Sequence, residues 1–124
     1  VSGWDIISTG GFFKAGSMSF LGAKAADSIG KYNADKVFLS CKGLDLQKGV
    51  TEGNDETGSI KQRMIRSAGK VYLTVDSSKF DKVAFSNICP LSALDVVVTD
   101  QKPEERWMEI FEKNGIECIY PEEE

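Results

Sequence analysis

The chain has 124 residues, a formal net charge of −4 and a hydrophobic content of 41%. This length is sufficient for one domain with its own core. The acidic balance provides no basic surface, which argues against nucleic-acid binding by this stretch alone. The sequence contains no histidine, which excludes serine–histidine and cysteine–histidine catalysis and the usual histidine metal sites within it.

The cysteines Cys41, Cys89 and Cys118 are far apart and form no CxxC pair, so neither a zinc ribbon nor a dithiol motif is indicated. An odd number of scattered cysteines favours a reducing compartment, and we expect a cytoplasmic protein. No apolar run approaches the roughly 20 residues that a membrane span needs, and no signal peptide is recognisable. We therefore expect no membrane association, no metal and no cofactor.

The N-terminal part of the chain indicates a strand followed by a helix. Residues 4–9 have strand-like composition and end at the pair Gly10–Gly11. Paired glycines after a strand permit either a simple turn or close approach of the backbone to a ligand, and both interpretations stay open. Residues 17–20 suggest a short extended piece. Apolar residues at helical spacing then predict a helix from about Gly22 to Tyr32, with Asn33 as a left-handed cap.

The middle of the chain indicates a buried strand, a long polar loop and an amphipathic helix. Residues 37–39 are the strand, and residues 42–56 form the glycine-broken polar loop. The helix is predicted by an apolar stripe with Gly69 as its C-terminal cap. The members of this stripe are Ile60, Met64, Ile65 and Ala68.

The C-terminal half continues the alternation of strands and helices. Lys70–Val75 is a strongly β-type run that ends in the polar cluster 76–80, and a winding buried segment follows at 84–91. Residues 95–100 form a continuous apolar strand, which suits a parallel strand buried on both faces. A helix that opens at Pro103 and closes at 113–115, and a last strand at 116–120, complete the chain.

This alternation predicts an α/β domain with a mostly parallel sheet, flanked by helices and joined by right-handed crossovers. Ligands of open α/β sheets bind beyond the carboxyl ends of the strands. The loop 42–56 and the cluster 76–79 both follow strands, so we expect a binding site there. The alternative is that both are solvated connectors built from turn residues.

Several motifs resemble the C-terminal sensor domain of DeoR-type transcriptional repressors. Residues 38–45 (FLSCKGLD) are similar to that family's strand and Gly-hydrophobic-Asp turn, and residues 76–80 match its DSSKF signature. The glycine pair with residues 19–22 (SFLG), the run 49–65 and the closing pattern 88–100 follow at matching spacing. The resemblance covers nearly the whole chain.

The resemblance implies a fold like that of ribose-5-phosphate isomerase and the coenzyme A transferases. It implies a sensor for a phosphorylated sugar or related metabolite, which controls operator binding by an N-terminal winged helix-turn-helix in a homo-oligomer. Neither that DNA-binding domain nor the family's first sensor strand is recognisable here. We therefore expect residues 1–124 to be a single sensor domain that is truncated at its N-terminus.

The sequence also departs from the family pattern at particular positions. Asp81 stands where the family usually has glycine, and Gly53 where it usually has proline. Lys42 replaces the usual small residue before Gly43. A cation at that position either favours an anionic ligand or is simply solvated.

The expected site divides a sugar phosphate between the two polar clusters. Carboxylates accept hydrogen bonds from sugar hydroxyls, and an amide both donates and accepts. Serine hydroxyls and a lysine ammonium offer donors to a phosphate, and glycines let backbone amides approach closely. Lys61 is expected to pair with a carboxylate or to face solvent. The candidate ligand-binding residues are Asp45, Asn54 and Glu56, then Asp76, Ser77, Ser78 and Lys79, and finally Gly10, Gly11 and Gly43.

Two competing hypotheses are a sugar-phosphate isomerase-like enzyme and a ligand-free dimerisation module. An isomerase needs a general base near the sugar carbon, and Asp45 or Glu56 has suitable chemistry. However, that enzyme's lysine- and glycine-rich loop falls on residues 51–56, which keep neither the lysine nor the glycine run. A purely structural module would leave both polar clusters unexplained. We therefore expect an effector-binding domain that is not an enzyme.

Overall fold

The structure, a computed structural model, describes residues 2–122. This part of the chain contains nine strands in three sheets and three α-helices. The strands are β1 (Phe12–Lys14), β2 (Ser19–Leu21), β3 (Ala34–Leu39), β4 (Gly43–Asp45), β5 (Gly49–Glu52), β6 (Ala68–Thr74), β7 (Ser86–Cys89), β8 (Val96–Val98) and β9 (Glu117–Ile119). The helices are α1 (Ala23–Gly30), α2 (Asp55–Arg66) and α3 (Glu105–Lys113).

A parallel sheet of four strands, in the order β3-β6-β8-β9, forms the centre of the domain. Val96 and Val97 are fully buried, as their continuous apolar run predicts. Trp107 and Phe111 of α3 join the same core as Leu73 of β6. The predicted α/β class, with a mostly parallel sheet flanked by helices, is confirmed.

The prediction of a polar loop over residues 42–56 is wrong for most of this segment. It contains the hairpin β4–β5, which pairs with β7 in a second, antiparallel sheet. Leu44 and Val50 are fully buried, so these short strands cover the core despite their polar neighbours. Gly49 has a φ of +76° and lies against the carbonyl of Cys89, where a Cβ would be only 2.4 Å from the oxygen. Tertiary packing therefore gives the loop a structure that its composition does not indicate.

The predicted strand at residues 4–9 is also wrong. These residues pair with no strand in the described chain, and Trp4, Ile6 and Ile7 are exposed. β-type composition describes a fit to a pleated, half-buried surface, and residues 4–9 meet no such surface among the described residues. The extended piece predicted at residues 17–20 is present as β2, paired with β1.

The C-terminal caps predicted for α1 and α2 differ from the structure. α1 ends at Gly30 and is followed by Lys31 in the right-handed region, so Asn33 is not a left-handed cap. α2 ends at Arg66, and Gly69 lies inside β6 rather than after the helix. Ser67 closes α2, because its N–H donates to carbonyls of the last turn and its hydroxyl donates to the Ile29 carbonyl at 3.2 Å. This second bond joins the ends of the two helices.

Candidate functional site

A cleft of about 480 Å³ opens at the carboxyl ends of β3 and β6. Residues that follow these two neighbouring strands meet there with the end of β5 and the first turns of α2. Parallel strands bring their carboxyl ends to one edge of a sheet, which is where open α/β folds bind ligands. The charged groups of the cleft are Lys42, Glu52, Lys61, Asp76 and Lys79, and Ser40 contributes a hydroxyl and a carbonyl.

A buried ion pair forms one side of the cleft. The Lys61 ammonium donates to Glu52 Oε2 at 2.7 Å, and the two side chains are only 15% and 5% exposed. The same ammonium donates to the Ser40 carbonyl at 2.7 Å, which connects α2 to the end of β3. Glu52 also accepts from the Gly53 N–H at 3.0 Å. A charged pair that is buried and fully hydrogen-bonded in this way is held in one geometry.

The pKa of the Glu52 carboxyl results from opposing effects. Burial raises the pKa, but the hydrogen bonds from Lys61 and the Gly53 N–H, together with the charges of Lys61 and Lys42, lower it more. The net pKa lies below the ordinary value. Glu52 is therefore an ionised hydrogen-bond acceptor at neutral pH.

A tight turn after β6 forms the other side of the cleft. Asp76 accepts the Ser78 N–H at 2.8 Å and the Ser78 hydroxyl, and the Lys79 ammonium at 3.1 Å. The bond from the Ser78 hydroxyl and that from Lys79 lower the pKa of Asp76 to about 2. Ser77 lies away from the cleft, where its N–H donates to Asp100 at 2.7 Å. The structure thus brings Asp76 and Lys79 into the cleft, whereas both serines bond to aspartates of the protein.

The start of α2 contributes Asn54 to the cleft. Its side-chain oxygen accepts the Thr57 N–H at 2.8 Å and caps the helix. Its amide nitrogen is a donor at the rim of the cleft. Glu56, two residues further on, is exposed, and its Oε2 atom lies 3.9 Å from the Lys14 ammonium. Of these two predicted residues, only Asn54 lines the cleft.

Asp45 lies at the tip of the β4–β5 hairpin rather than in the cleft. Its carboxylate accepts the N–H groups of Lys48 at 2.8 Å and Gln47 at 3.0 Å, and these bonds lower its pKa. The position is that of an Asx turn, which is a structural role.

Two of the three candidate glycines, Gly11 and Gly43, lie at sites of close backbone packing, whereas a Cβ at Gly10 would meet no atom within 4 Å. A Cβ at Gly43 would be 2.4 Å from the Lys82 carbonyl oxygen, and one at Gly11 would be 2.9 Å from the Leu21 carbonyl oxygen. Gly10 and Gly11 also have positive φ values, which a side chain disfavours. Packing within the protein therefore accounts for glycine at positions 11 and 43, and none of the three lines the cleft.

Sequence reasoning missed Glu52 and underrated Lys61. The signal for Glu52 was its place at the end of the apolar run around Val50, since an acidic residue in a buried strand requires a partner. Lys61 lies nine residues further along the chain, and no local spacing rule links a strand residue to a helix residue. Only the packing of α2 against β5 makes them neighbours.

Neither cysteine near the cleft has the properties of a nucleophile. Burial raises the pKa of the Cys41 thiol to about 11, although the Lys61 charge opposes this, and burial raises the pKa of Cys89 to about 11. Both are thiols at neutral pH, whereas a reactive cysteine is a thiolate.

Among residues 2–122 there is also no cluster of acidic, cysteine or histidine side chains that could hold a metal ion.

A larger groove of about 660 Å³ lies beside the outer edge of β3, between α1 and α2. Its walls are mainly apolar side chains, including Ile29, Val37 and Met64. Carbohydrate ligands need hydrogen-bond partners, and this groove offers few. We therefore place the candidate site in the smaller, charged cleft.

No helix in the described chain is long and apolar enough to cross a membrane.

Comparison with known proteins identifies the family. The model of the DeoR C-terminal sensor domain matches residues 2–101. The chain is 39% identical over 96 residues to the HTH-type transcriptional regulator YulB of Bacillus subtilis, which covers 77% of this chain and 37% of that protein. It is 25% identical over 122 residues to the HTH-type transcriptional repressor GlcR of the same organism, which covers 98% of this chain and 47% of that protein.

A third relative is the L-fucose operon activator of Haemophilus influenzae. It is 26% identical over 113 residues, which make up 91% of this chain and 45% of that protein. The chain thus spans less than half the length of these relatives, of which one is named as a transcriptional regulator, one as a transcriptional repressor and the third as an operon activator. Because the family model matches most of the chain, we conclude that the chain belongs to the family of DeoR C-terminal sensor domains.

Proposed function

We propose that the charged cleft binds a phosphorylated sugar or a related metabolite, and that this ligand is the effector of a transcriptional regulator. The observation that carries the proposal is the pairing of Glu52–Lys61 and Asp76–Lys79 on the two sides of one cleft at the strand ends. Ionised carboxylates accept hydrogen bonds from sugar hydroxyls, and ammonium groups donate to hydroxyl and phosphate oxygens. The L-fucose operon activator is named for a sugar operon, which agrees with this ligand class.

The cleft provides enough polar groups for useful affinity. A hydrogen bond to a charged group contributes about 1.5–3 kcal/mol net. Three or four such bonds therefore suffice for a micromolar dissociation constant, which corresponds to about 8 kcal/mol. Glu52 with Lys61, and Asp76 with Lys79, are already fixed by each other, so little entropy of these side chains is lost when a ligand binds.

The regulatory part of the proposal rests on family membership. In the full-length protein, a winged helix-turn-helix would bind operator DNA, and effector binding would change its affinity for that DNA. Such a regulator is expected to act in the cytoplasm as a homo-oligomer. The first turns of α2 lie in the cleft while its last turn contacts α1, so a ligand that moves α2 would also move α1.

The chemistry of the cleft favours binding over catalysis. A general base works best with a pKa near the operating pH, whereas the pKa of Glu52 is lowered from an already acidic value. Its carboxylate is also held by Lys61. The isomerase-like enzyme and the ligand-free module are the alternatives that the following experiment separates from the proposal.

A thermal-shift screen of sugar monophosphates against the full chain tests the proposed function. A ligand present at 100 times its dissociation constant stabilises the folded state by about 2.7 kcal/mol. We expect a shift with at least one sugar phosphate, and its loss in Lys79→Ala. The control is Lys48→Ala, because Lys48 lies in the hairpin turn outside the cleft.

Three other outcomes have distinct meanings. No shift with any sugar phosphate would contradict the sensor proposal and favour the ligand-free module. Equal loss of the shift in Lys79→Ala and Lys48→Ala would mean a general effect of surface charge and would contradict binding in the cleft. Conversion of a bound aldose phosphate to its ketose, followed by NMR, would support the enzyme instead.

A further inference from the structure

The charges that line the cleft do not balance. Two carboxylates, Glu52 and Asp76, face three lysines. Lys61 pairs with Glu52 at 2.7 Å and Lys79 pairs with Asp76 at 3.1 Å. The ammonium of the third, Lys42, makes no hydrogen bond or ion pair with any residue between 2 and 122. The cleft therefore has one uncompensated positive charge, and the structure locates it on Lys42.

The backbone at Lys42 is fixed although its side chain is exposed. The Lys42 N–H donates to the Thr51 carbonyl at 3.0 Å, and the next residue, Gly43, is packed tightly against Lys82. The ammonium therefore extends from a rigid position at the start of β4. Its charge is among the causes of the lowered pKa of Glu52, so it lies within electrostatic reach of the buried pair.

The other two lysines are less suitable partners for an anion. A phosphate that approaches Lys79 also approaches the Asp76 carboxylate, and one that approaches Lys61 approaches Glu52. Repulsion from a carboxylate at such short range opposes much of the attraction to the lysine. Lys42 offers an ammonium with three donors and no competing acceptor among the described residues.

We propose that Lys42 binds the phosphoryl group of the effector. The phosphate then lies at the start of β4, and the carboxylates of Glu52 and Asp76 and the Lys79 ammonium are left to hydrogen-bond the sugar hydroxyls. This inference rests on the proposed function and makes it more specific. The ligand class is a sugar with an anionic substituent, and neutral sugars lack the group that Lys42 binds.

Isothermal titration calorimetry on the full chain tests this role of Lys42. The probes are glucose 6-phosphate, fructose 1-phosphate, galactose 6-phosphate and inorganic phosphate, with the free sugars for comparison. We expect Lys42→Met to weaken binding of the phosphorylated probes by about tenfold to a hundredfold, the factor for one charged hydrogen bond. Lys42→Arg should keep most of the affinity, and Lys48→Met should bind as the unaltered chain does. The salt dependence of binding should also decrease in Lys42→Met, because one ion contact is lost.

The outcomes separate this inference from the proposed function. If the unaltered chain binds a phosphorylated probe and Lys42→Met binds it equally well, the inference is wrong and the sensor function stands. If the unaltered chain binds none of these probes and no sugar monophosphate in the thermal-shift screen, both are wrong. If Lys42→Met and Lys48→Met weaken binding alike, the effect is general surface charge and the inference is wrong.

A second measurement does not depend on a variant. In ¹⁵N–¹H correlation spectra, inorganic phosphate should shift the amide signals of residues 41–43 more than those of residues 77–79. The opposite pattern would place the phosphate at the turn after β6 and would overturn the role of Lys42.

Discussion

Two ion pairs of this domain have similar chemistry but very different surroundings. Glu52 and Lys61 are almost completely buried in the cleft, whereas Arg106 and Asp81 are 49% and 38% exposed and do not line it. Both pairs connect separate elements. The first joins β5 to α2, and the second joins the segment after Lys79 to α3.

The environment of an ion pair decides how much stability is lost when the pair is broken. Breaking a buried pair leaves one charge without a partner in a medium of low polarity. Breaking an exposed pair lets water solvate both groups, so the pair itself contributes little. At Asp81, two other features affect the free energy of unfolding more than the ion pair does. Its positive φ strains the backbone, and its bond from the Trp107 indole stabilises the fold.

The largest effect is expected for Glu52→Gln. This change leaves the Lys61 ammonium buried without a counter-charge, and removing one partner of a buried pair costs about 3–5 kcal/mol. Because Lys61 keeps its bond to the Ser40 carbonyl, we expect the lower end, about 3 kcal/mol. Urea unfolding followed by tryptophan fluorescence measures the change, because Trp107 is buried whereas Trp4 is already 70% exposed.

Two further variants serve as controls for this result. Glu56→Gln, at an exposed position in the first turn of the same helix, should change the free energy of unfolding by less than about 0.5 kcal/mol. The double change Glu52→Met with Lys61→Met should recover much of the loss, because no unpaired charge remains. A cost below about 1 kcal/mol for Glu52→Gln would show that water compensates the lysine.

The Glu52–Lys61 pair should also make the free energy of unfolding depend on pH. The pKa of Glu52 is lower in the native protein than in the unfolded chain, so the unfolded state binds more protons as the pH falls. The stabilisation is therefore fully present above the ordinary glutamate pKa of about 4.3 and is lost as the pH falls through the native pKa.

This loss can be isolated by comparison with Glu52→Gln. Asp76 also has a lowered pKa, but it is retained in the variant and its contribution cancels. The difference in the free energy of unfolding should be constant from pH 7 to about pH 5 and should shrink below about pH 4. A difference that stays constant to pH 3 would mean that Glu52 does not titrate in this range.

The sequence was sufficient for the parallel sheet but not for the details of the cleft. Apolar runs such as residues 96–98 need only burial to become strands, and this is visible in composition. Asp45 and Asp76 show why site residues are harder. Each is followed by a turn and accepts backbone N–H groups two or three residues later. Asp76 lies in the cleft because it follows β6 beside the end of β3, whereas the packing of the β4–β5 hairpin keeps Asp45 at the hairpin tip outside the cleft.

The hairpin β4–β5 could not be recognised for a related reason. Its strands are three and four residues long, and its apolar signal is limited to residues such as Leu44 and Val50. Its partner β7 lies more than thirty residues further along the chain. Long-range pairing of short strands leaves almost no local pattern, so the segment reads as a polar loop.

A smaller effect is expected at Asp81. This residue has a φ of +62°, in the region that favours glycine, and its carboxylate accepts the Trp107 indole N–H at 3.1 Å. Asp81→Ala keeps the backbone strain and leaves the N–H of a side chain that is only 1% exposed without this acceptor. We expect a loss of about 2 kcal/mol, within the usual cost of an unpaired buried polar group.

Asp81→Gly is the matched variant for this prediction. It loses the same acceptor but relieves the strain of the positive φ, which is roughly 1 kcal/mol for a residue with a side chain. It should therefore be more stable than Asp81→Ala by about that amount in urea unfolding. Equal stability of the two variants would mean that the backbone at position 81 relaxes when the carboxylate is removed.

The smallest effect is expected for Arg106→Gln, which removes the exposed pair and keeps Asp81. The Trp107 indole still donates to Asp81, and water replaces the guanidinium on the other carboxylate oxygen. Exposed pairs gain little Coulomb energy in water and are screened by salt. The urea midpoint should therefore change less than in either Asp81 variant, and the change should vanish in 1 M salt. A loss as large as that of Asp81→Ala would show that the guanidinium, rather than the backbone and the indole, holds α3 against the β6 end.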